Sequence, residues 1–404
     1  MVSEVNHPRS KGQSGSTHEL PAPSAEALAH SERLADHIRQ VIAAAGGRIG
    51  FDRFMELALY APGLGYYSAG SQKFGEAGDF VTAPEISPLF SHCLAQQCAE
   101  VLKGIGGGDI LEFGAGSGVM AADILLELER LDSLPEHYFI LELSADLRRR
   151  QQQSLAEKAP QLAGRVVWLD ALPETGFCGV VLANEVLDAM PVHRFRVHNG
   201  EPRELCVVRD GDGFALEERG PEGALAKRIN QLQEQFALPD GYTSEINLRA
   251  EEWVHSLSEF LEKGAAFLID YGFPRSEFYH PQRSSGTLMC HYRHRAHDDA
   301  LILLGLQDIT AHVDFTSVGE AALAAGLAVR GYTSQANFLI ANGLTERLAN
   351  AGGTIKEQLS LSARVKRLTM PGEMGELFKV MALTRGWEGP LRGFALRDER
   401  GRLG

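Results

Sequence analysis

The 404-residue chain contains no apolar run approaching the roughly 20 residues needed to span a bilayer, so membrane insertion is not expected. Its five cysteines, Cys93, Cys98, Cys178, Cys206 and Cys290, are odd in number, scattered and without CxxC spacing. That excludes a disulfide framework and predicts reduced, mostly structural thiols. Positive charge is also in deficit: 39 Lys and Arg against 53 Asp and Glu leave a formal net charge of -14. A sequence-blind nucleic-acid binder would carry a basic stripe, so that class is excluded, whereas a basic polypeptide partner is compatible. Repeats and low-complexity tracts are absent. The first twenty-odd residues hold hardly any large apolar side chains, so they form neither a signal-peptide core nor an acid-poor amphipathic transit peptide. The expectation is a disordered tail over 1–23 on a soluble, cytoplasmic protein.

What is present is ordinary globular composition, 44% hydrophobic and 23% charged, at a length above the usual single domain. One core fold with insertions, or two lobes, is expected. The most informative stretch is Asp109-Ile-Leu-Glu-Phe-Gly-Ala-Gly-Ser-Gly118. Ile110, Leu111 and Phe113 read as a buried parallel strand that breaks into a turn with glycine at 114, 116 and 118. Helical spacing from Val119 to Leu131 places a helix N-terminus, with its free N–H groups, directly after the turn. A dinucleotide fingerprint would require Gly or Ala at 119, where this chain has valine. Gly-x-Gly-x-Gly preceded by Glu112 instead resembles the first motif of class I S-adenosylmethionine methyltransferases. A nicotinamide oxidoreductase is the weaker alternative.

Two further strands support that reading. Tyr138-Phe-Ile-Leu-Glu142 ends in a carboxylate where a ribose diol is usually gripped, and Val166-Val-Trp-Leu-Asp170 ends in an acid suited to an adenine amino group. A single strand-end acid is commonly a solvated loop residue. Three in order, Glu112, Glu142 and Asp170, favour a cofactor site.

Along the chain, helices are expected at 24–48, 51–59 and 87–102. Strand 109–113, helix 117–131, strand 138–142, helix 144–157 and strands 165–169 and 179–183 then alternate as in a parallel sheet covered on both faces. Short alternating runs at 193–197, 204–208 and 214–217, separated by Asn199-Gly200 and Gly211-Asp-Gly213, read as β-hairpins. Helices at 222–236 and 249–263 follow, the latter stopped by Gly264. The core resumes at 265–271, then helix 316–325, strand 327–332 and strand 377–384, with a helical cap over 335–366. The expected fold is α/β: a Rossmann-like class I methyltransferase sheet with N-terminal helices and an antiparallel β and helical insertion. Its divisions are an N-terminal helical segment with a cofactor-covering loop (24–105), a core (106–192), an insertion (193–263), the remaining core with its cap (264–386) and a C-terminal tail (387–404).

Several segments resemble the MidA family: Ala58-Leu-Tyr60, Gly65-Tyr-Tyr67, Gly78-Asp-Phe-Val-Thr82, Asn184-Glu-Val-Leu-Asp-Ala-Met-Pro191, Ile269-Asp-Tyr-Gly272, Asp308-Ile-Thr-Ala-His-Val-Asp-Phe315 and Met374-Gly-Glu-Leu-Phe-Lys379. The likeness runs from roughly residue 30 to 385 and implies a methyltransferase that uses S-adenosylmethionine. It implies a protein arginine acceptor on a subunit of the respiratory NADH dehydrogenase, and Asp79, Phe80 and Thr82 as lining for the cofactor. A partner-binding assembly factor with a structural cofactor site is the rival, and the oligomeric state stays open, a dimer included.

An arginine acceptor needs carboxylates, because a guanidinium is always protonated and binds them bidentately. Asn184, Glu185 and Asp188 follow the fourth strand at the carboxyl edge of the sheet. If Glu185 starts a helical turn, Asp188 shares its face, and the pair is expected to grip the guanidinium while Asn184 orients it. Helix capping by Asn184 is the competing role. Asp270 with Tyr271 is a candidate for substrate positioning. His312 lies on the same side of a strand as Asp314 and is a candidate acid–base residue, against a structural His–Asp pair. The run His291-Tyr-Arg-His-Arg-Ala-His297 lacks accompanying ligands, so no metal is expected.

Overall fold

The computed structural model describes residues 20–69 and 82–404; the expected tail up to residue 19 and the Asp79–Phe80 pair lie outside the described residues. An eight-stranded sheet organises the chain. Its strands are β1 (Asp109–Phe113), β2 (Tyr138–Leu141), β3 (Val166–Leu169), β4 (Phe177–Asn184), β5 (Leu261–Phe273), β6 (Val313–Asp314), β7 (Ala328–Ser334) and β8 (Phe378–Arg385). The spatial order is β7-β8-β5-β4-β1-β2-β3, with β6 pairing β5. All pairings are parallel except those of β8, which runs antiparallel to β5 and β7. The order reverses between β1 and β4, and open α/β sheets bind ligands outside the carboxyl ends at such a point.

The apolar runs of these strands are continuous because both faces are covered. Ile110, Val180, Leu182 and Phe267 pack with helices Pro88–Ile105 and Val119–Arg130. Their strand neighbours Leu111, Val181, Ala183 and Leu268 point the other way, against Leu248–Phe260 and Phe315–Ala324. Helix starts follow local chemistry. Ser24, Ser87 and Ser144 each accept a backbone N–H of the turn they cap, satisfying donors that a helix leaves orphaned.

The insertion is antiparallel: Glu201–Asp210 lies between His193–His198 and the N-terminal strand Arg48–Gly50, while Gly213–Arg219 also pairs with it and Thr243–Ile246 pairs His193–His198. The expected long first helix therefore stops at Ala44, and its last residues join this sheet. The run around His291 forms a hairpin, Met289–Tyr292 against Arg295–His297, that also pairs Asp308–Thr310. The supposed C-terminal tail is a packed strap. Leu391 and Phe394 are buried, and the Gly393 N–H donates to Gln97 Oε1 at 2.7 Å.

The helix expected over 249–263 ends at Phe260, and Gly264 is not its stop but part of β5. Gly264 lies directly beside Gly179, which lies beside Asp109. Their φ values are 144° and 152°, and a Cβ on Gly264 would sit 1.8 Å from the Gly179 carbonyl oxygen. Both conformation and space require glycine here. Gly264→Ala should lower unfolding free energy by about 3 kcal/mol, read as a shift of the urea midpoint without a change in slope.

Candidate active site

A cavity of about 530 Å³ opens at the carboxyl ends of β1, β2 and β4. On one side runs the glycine turn. Gly114, Gly116 and Gly118 have φ of 59°, 53° and 78°, which non-glycine residues adopt at a cost. Their surroundings differ. A Cβ at Gly116 would meet nothing within 4 Å, so this residue leaves the cavity clear. A Cβ at Gly118 would come within 2.8 Å of Gln151 Cα, so the third glycine admits the neighbouring helix Ala145–Lys158.

Glu112 and Glu142 both line the cavity. Burial pushes the Glu112 carboxyl up to about 7, opposed by a 2.7 Å hydrogen bond from the Tyr138 hydroxyl. Glu142 is oriented from both oxygens, by the Ser144 N–H at 2.9 Å and by Gln151 Nε2 at 3.1 Å. Thr82 also borders the cavity. Asp170 does not. Its side chain is 90% exposed and pairs with Arg148 at 2.8 Å, because β3 ends at the molecular rim. The expected adenine contact at Asp170 is thus corrected.

The other wall comes from the loop after β4. Glu185 adopts φ 53° and no helix follows it. The expected helical turn and the capping role of Asn184 are both absent. Glu185 and Asp188 nevertheless line the cavity together, held by the loop and not by helical spacing. The Glu185 N–H donates to the Ile269 carbonyl at 2.9 Å, and its Oε1 accepts from Ala83 N–H at 3.4 Å and Asn184 Nδ2 at 3.2 Å. Burial, reinforced by the Asp188 charge, pushes Glu185 up to about 8. Burial raises Asp188 to about 6 against a hydrogen bond from the Tyr271 hydroxyl.

Asp270 lies beneath this loop, fully buried and outside the cavity lining. Its Oδ2 accepts the N–H groups of Leu187 and Asp188 at 2.9 and 3.2 Å, and Oδ1 accepts that of Tyr271 at 2.9 Å. It is an anchor for the loop, not a substrate contact. His312 does not pair with Asp314, which instead caps helix Phe315–Ala324 through Thr316 and Ser317 N–H. The imidazole packs edge-on against the Tyr271 ring, centroids 5.1 Å apart, and burial lowers its pKa to about 4. A histidine held neutral behind the wall is not placed for acid–base work.

Three residues without an expected role complete the cavity: Tyr60, Tyr67 and Asp308. Tyr67 donates to both Asp308 oxygens, at 3.0 and 2.9 Å, and stacks on Tyr60. The segments Ala58–Tyr60, Gly65–Tyr67 and Asp308–Phe315 carry part of the family resemblance, but nothing in their spacing shows that they converge. In all, five carboxylates (Glu112, Glu142, Glu185, Asp188 and Asp308) face the cavity, and no Lys, Arg or His does so among the described residues.

The chain matches the family described as "Putative S-adenosyl-L-methionine-dependent methyltransferase" over residues 93–333, more than half its length. It belongs to that family. The methyltransferase is similar over nearly its whole length to a Burkholderia thailandensis protein solved with S-adenosyl-homocysteine, at 47% identity and a TM-score of 0.91, covering 95% of this chain and 99% of that one. It is 29% identical to the Drosophila melanogaster mitochondrial protein arginine methyltransferase NDUFAF7 homolog, over 91% of this chain and 88% of the relative. The mouse mitochondrial protein arginine methyltransferase NDUFAF7 is also 29% identical, over 83% and 81%. These relatives are named as mitochondrial proteins, so the expected cytoplasmic location is overturned and withdrawn.

The methyltransferase uses S-adenosylmethionine, and its cavity fits that molecule. The turn at Gly116 leaves room that no side chain takes, and the Glu112 and Glu142 carboxylates facing the same cavity are acceptors for a ligand rich in N–H and O–H groups. Met120, Leu141, Leu143 and Leu147 supply an apolar side beside Glu142. Calorimetry with S-adenosyl-homocysteine should show Glu142→Ala weakening binding roughly 10- to 100-fold through loss of a charged hydrogen-bond acceptor. Asp170→Ala, at the exposed rim, should leave the affinity unchanged.

Proposed function

We propose that this methyltransferase modifies arginine side chains of a protein, and that its acceptor is a subunit of the respiratory NADH dehydrogenase. The observation that carries the arginine reading is that Glu185 and Asp188 face the cavity together while no Lys, Arg or His lines it among the described residues. Holding these two acids side by side in an enclosed cavity is costly unless a cationic ligand completes the site. A guanidinium fits because it is planar, permanently charged and able to bond two carboxylates through its fork of N–H groups. The names of the Drosophila and mouse relatives support the same acceptor type. The NADH dehydrogenase partner follows from the resemblance to the MidA family.

When bound, S-adenosylmethionine supplies the electrophilic methyl group together with its leaving sulfur. Glu112, Glu142 and the Gly114–Gly116 turn are the residues that would hold it. The chain's own task is alignment and charge control. In this reading Glu185 and Asp188 hold the guanidinium, fix one nitrogen in line and concentrate electron density on it. The nitrogen sheds one proton as its new carbon bond forms, leaving the methylated guanidinium singly charged. Glu185, with a pKa near neutrality, is suited to receive that proton and pass it to solvent. Asn184 Oδ1, buried without a donor, adds an acceptor at the same wall.

Glu185→Gln and Asp188→Asn should each cut methyl transfer to an arginine peptide at least about 100-fold while leaving S-adenosyl-homocysteine affinity nearly unchanged. Retained turnover in either variant would remove that carboxylate from the mechanism. Both acids have raised pKa values, so they are protonated at low pH and ionise as pH rises. Activity should therefore climb between about pH 6 and 8, and Glu185→Gln should remove the upper part of that rise. Mass spectrometry of NADH dehydrogenase subunits from cells with and without the protein tests the partner: an arginine whose methylation does not depend on the protein counts against it.

A further inference from the structure

We infer that Tyr60 is the platform on which the acceptor side chain stacks, making it the residue that selects a planar cation over a compact ammonium. This rests on the arginine reading and adds the means of discrimination. Tyr60 ends helix Phe51–Tyr60, borders the cavity and keeps 40% of its surface exposed, whereas Tyr66, also at the cavity, is 3% exposed. The uncovered part of a ring that borders the cavity is open to a ligand lying there.

Its position is fixed at two points. The hydroxyl donates to the Ala189 carbonyl at 2.9 Å, tying the ring to the loop that carries Glu185 and Asp188. One side is taken by Tyr67, with ring centroids 5.4 Å apart and planes inclined by 22°. Tyr67 is in turn wedged by the edge of Tyr66 at 5.1 Å and by its hydroxyl on Asp308. The ring is thus preorganised and loses little entropy when a ligand covers it. It also follows Asp188 around the cavity wall by one residue's reach, through Ala189.

The chemistry at that spot favours guanidinium. Cations are drawn to an aromatic face, and a guanidinium also stacks as a flat, weakly hydrated group while its edges keep bonding carboxylates. An ammonium is a strongly hydrated point charge that cannot lie flat and fork to two acids at once. Carboxylates alone would attract both. The ring face is what separates them.

The test uses full-length protein saturated with S-adenosyl-homocysteine and two probes, acetylated Gly-Gly-Arg-Gly-Gly amide and its lysine counterpart, with affinity measured by calorimetry. Wild type should bind the arginine peptide more tightly. Tyr60→Leu should weaken that binding roughly 10-fold, shrink the preference over lysine and leave S-adenosyl-homocysteine affinity unchanged. Tyr60→Phe, which keeps the face and drops the hydroxyl, should stay within about threefold of wild type. In turnover on the arginine peptide, Tyr60→Leu should raise KM far more than it lowers kcat. Wild type without arginine preference, or a Tyr60→Leu variant that keeps it, overturns the inference. Arginine-selective binding that Tyr60→Leu abolishes, with no methyl transfer by wild type, would instead sink the proposed activity and leave the Tyr60 platform standing.

Discussion

The site depends on the Asp270 carboxylate at the end of β5. It is fully buried and accepts three backbone N–H groups, two of them from the loop after β4. Burial, with the Asp188 and Glu185 charges, pushes the Asp270 pKa well up, and a buried carboxyl that lost these donors would leave its oxygens unsatisfied, so carboxyl and loop hold each other in place. The loop cannot hold itself. Glu185 sits in the left-handed region that a side chain adopts only under constraint, and no helix stabilises the residues after it. Further ties close the loop from other elements: Asn247 Nδ2 on the Leu187 carbonyl, Ala311 N–H on that of Asp188 and Tyr60 on that of Ala189. Core, insertion, hairpin layer and N-terminal helix all converge on one short loop.

That convergence explains why a chain this long surrounds a sheet of eight strands. The core alone supplies the glycine turn and the strand-end acids. The insertion braces the loop through Asn247, the hairpin layer adds Asp308 to the cavity, and the N-terminal helix adds Tyr60. These contributions make one wall of the cavity acidic and aromatic, while the glycine side carries Glu112 and Glu142 among small and apolar residues.

The raised pKa values follow from the same enclosure. Glu112, Glu185 and Asp188 are all shifted upward by burial, and Glu185 further by its acidic neighbour. A carboxyl whose folded pKa exceeds its unfolded value stabilises the fold below the unfolded pKa, and that contribution disappears as pH rises through the folded one. The clustered acids of the cavity therefore cost stability near neutrality.

The parallel sheet, its helices and the cofactor turn were legible in the amino-acid order alone. Ile110–Phe113, Val180–Ala183 and Gly114–Gly118 encode these locally, through apolar runs that need two covered faces and glycines that need positive φ. Strand-end position also revealed Glu112, Glu142, Glu185 and Asp188, since carboxyl edges of such sheets are where ligands lie. It misdirected attention to Asp170, Asp270 and His312, because a strand end or an alternation pattern does not say whether a side chain points to solvent, into the core or into a cavity. Gly264 was misjudged for a similar reason: as a helix stop it is locally plausible, and only the backbone of Gly179 beside it shows why glycine is required. The partnership of Tyr60, Tyr67 and Asp308 with Asp188 spans hundreds of residues of chain and carries no period or spacing. It exists only in the folded molecule, because contacts between distant segments are set by how whole layers pack.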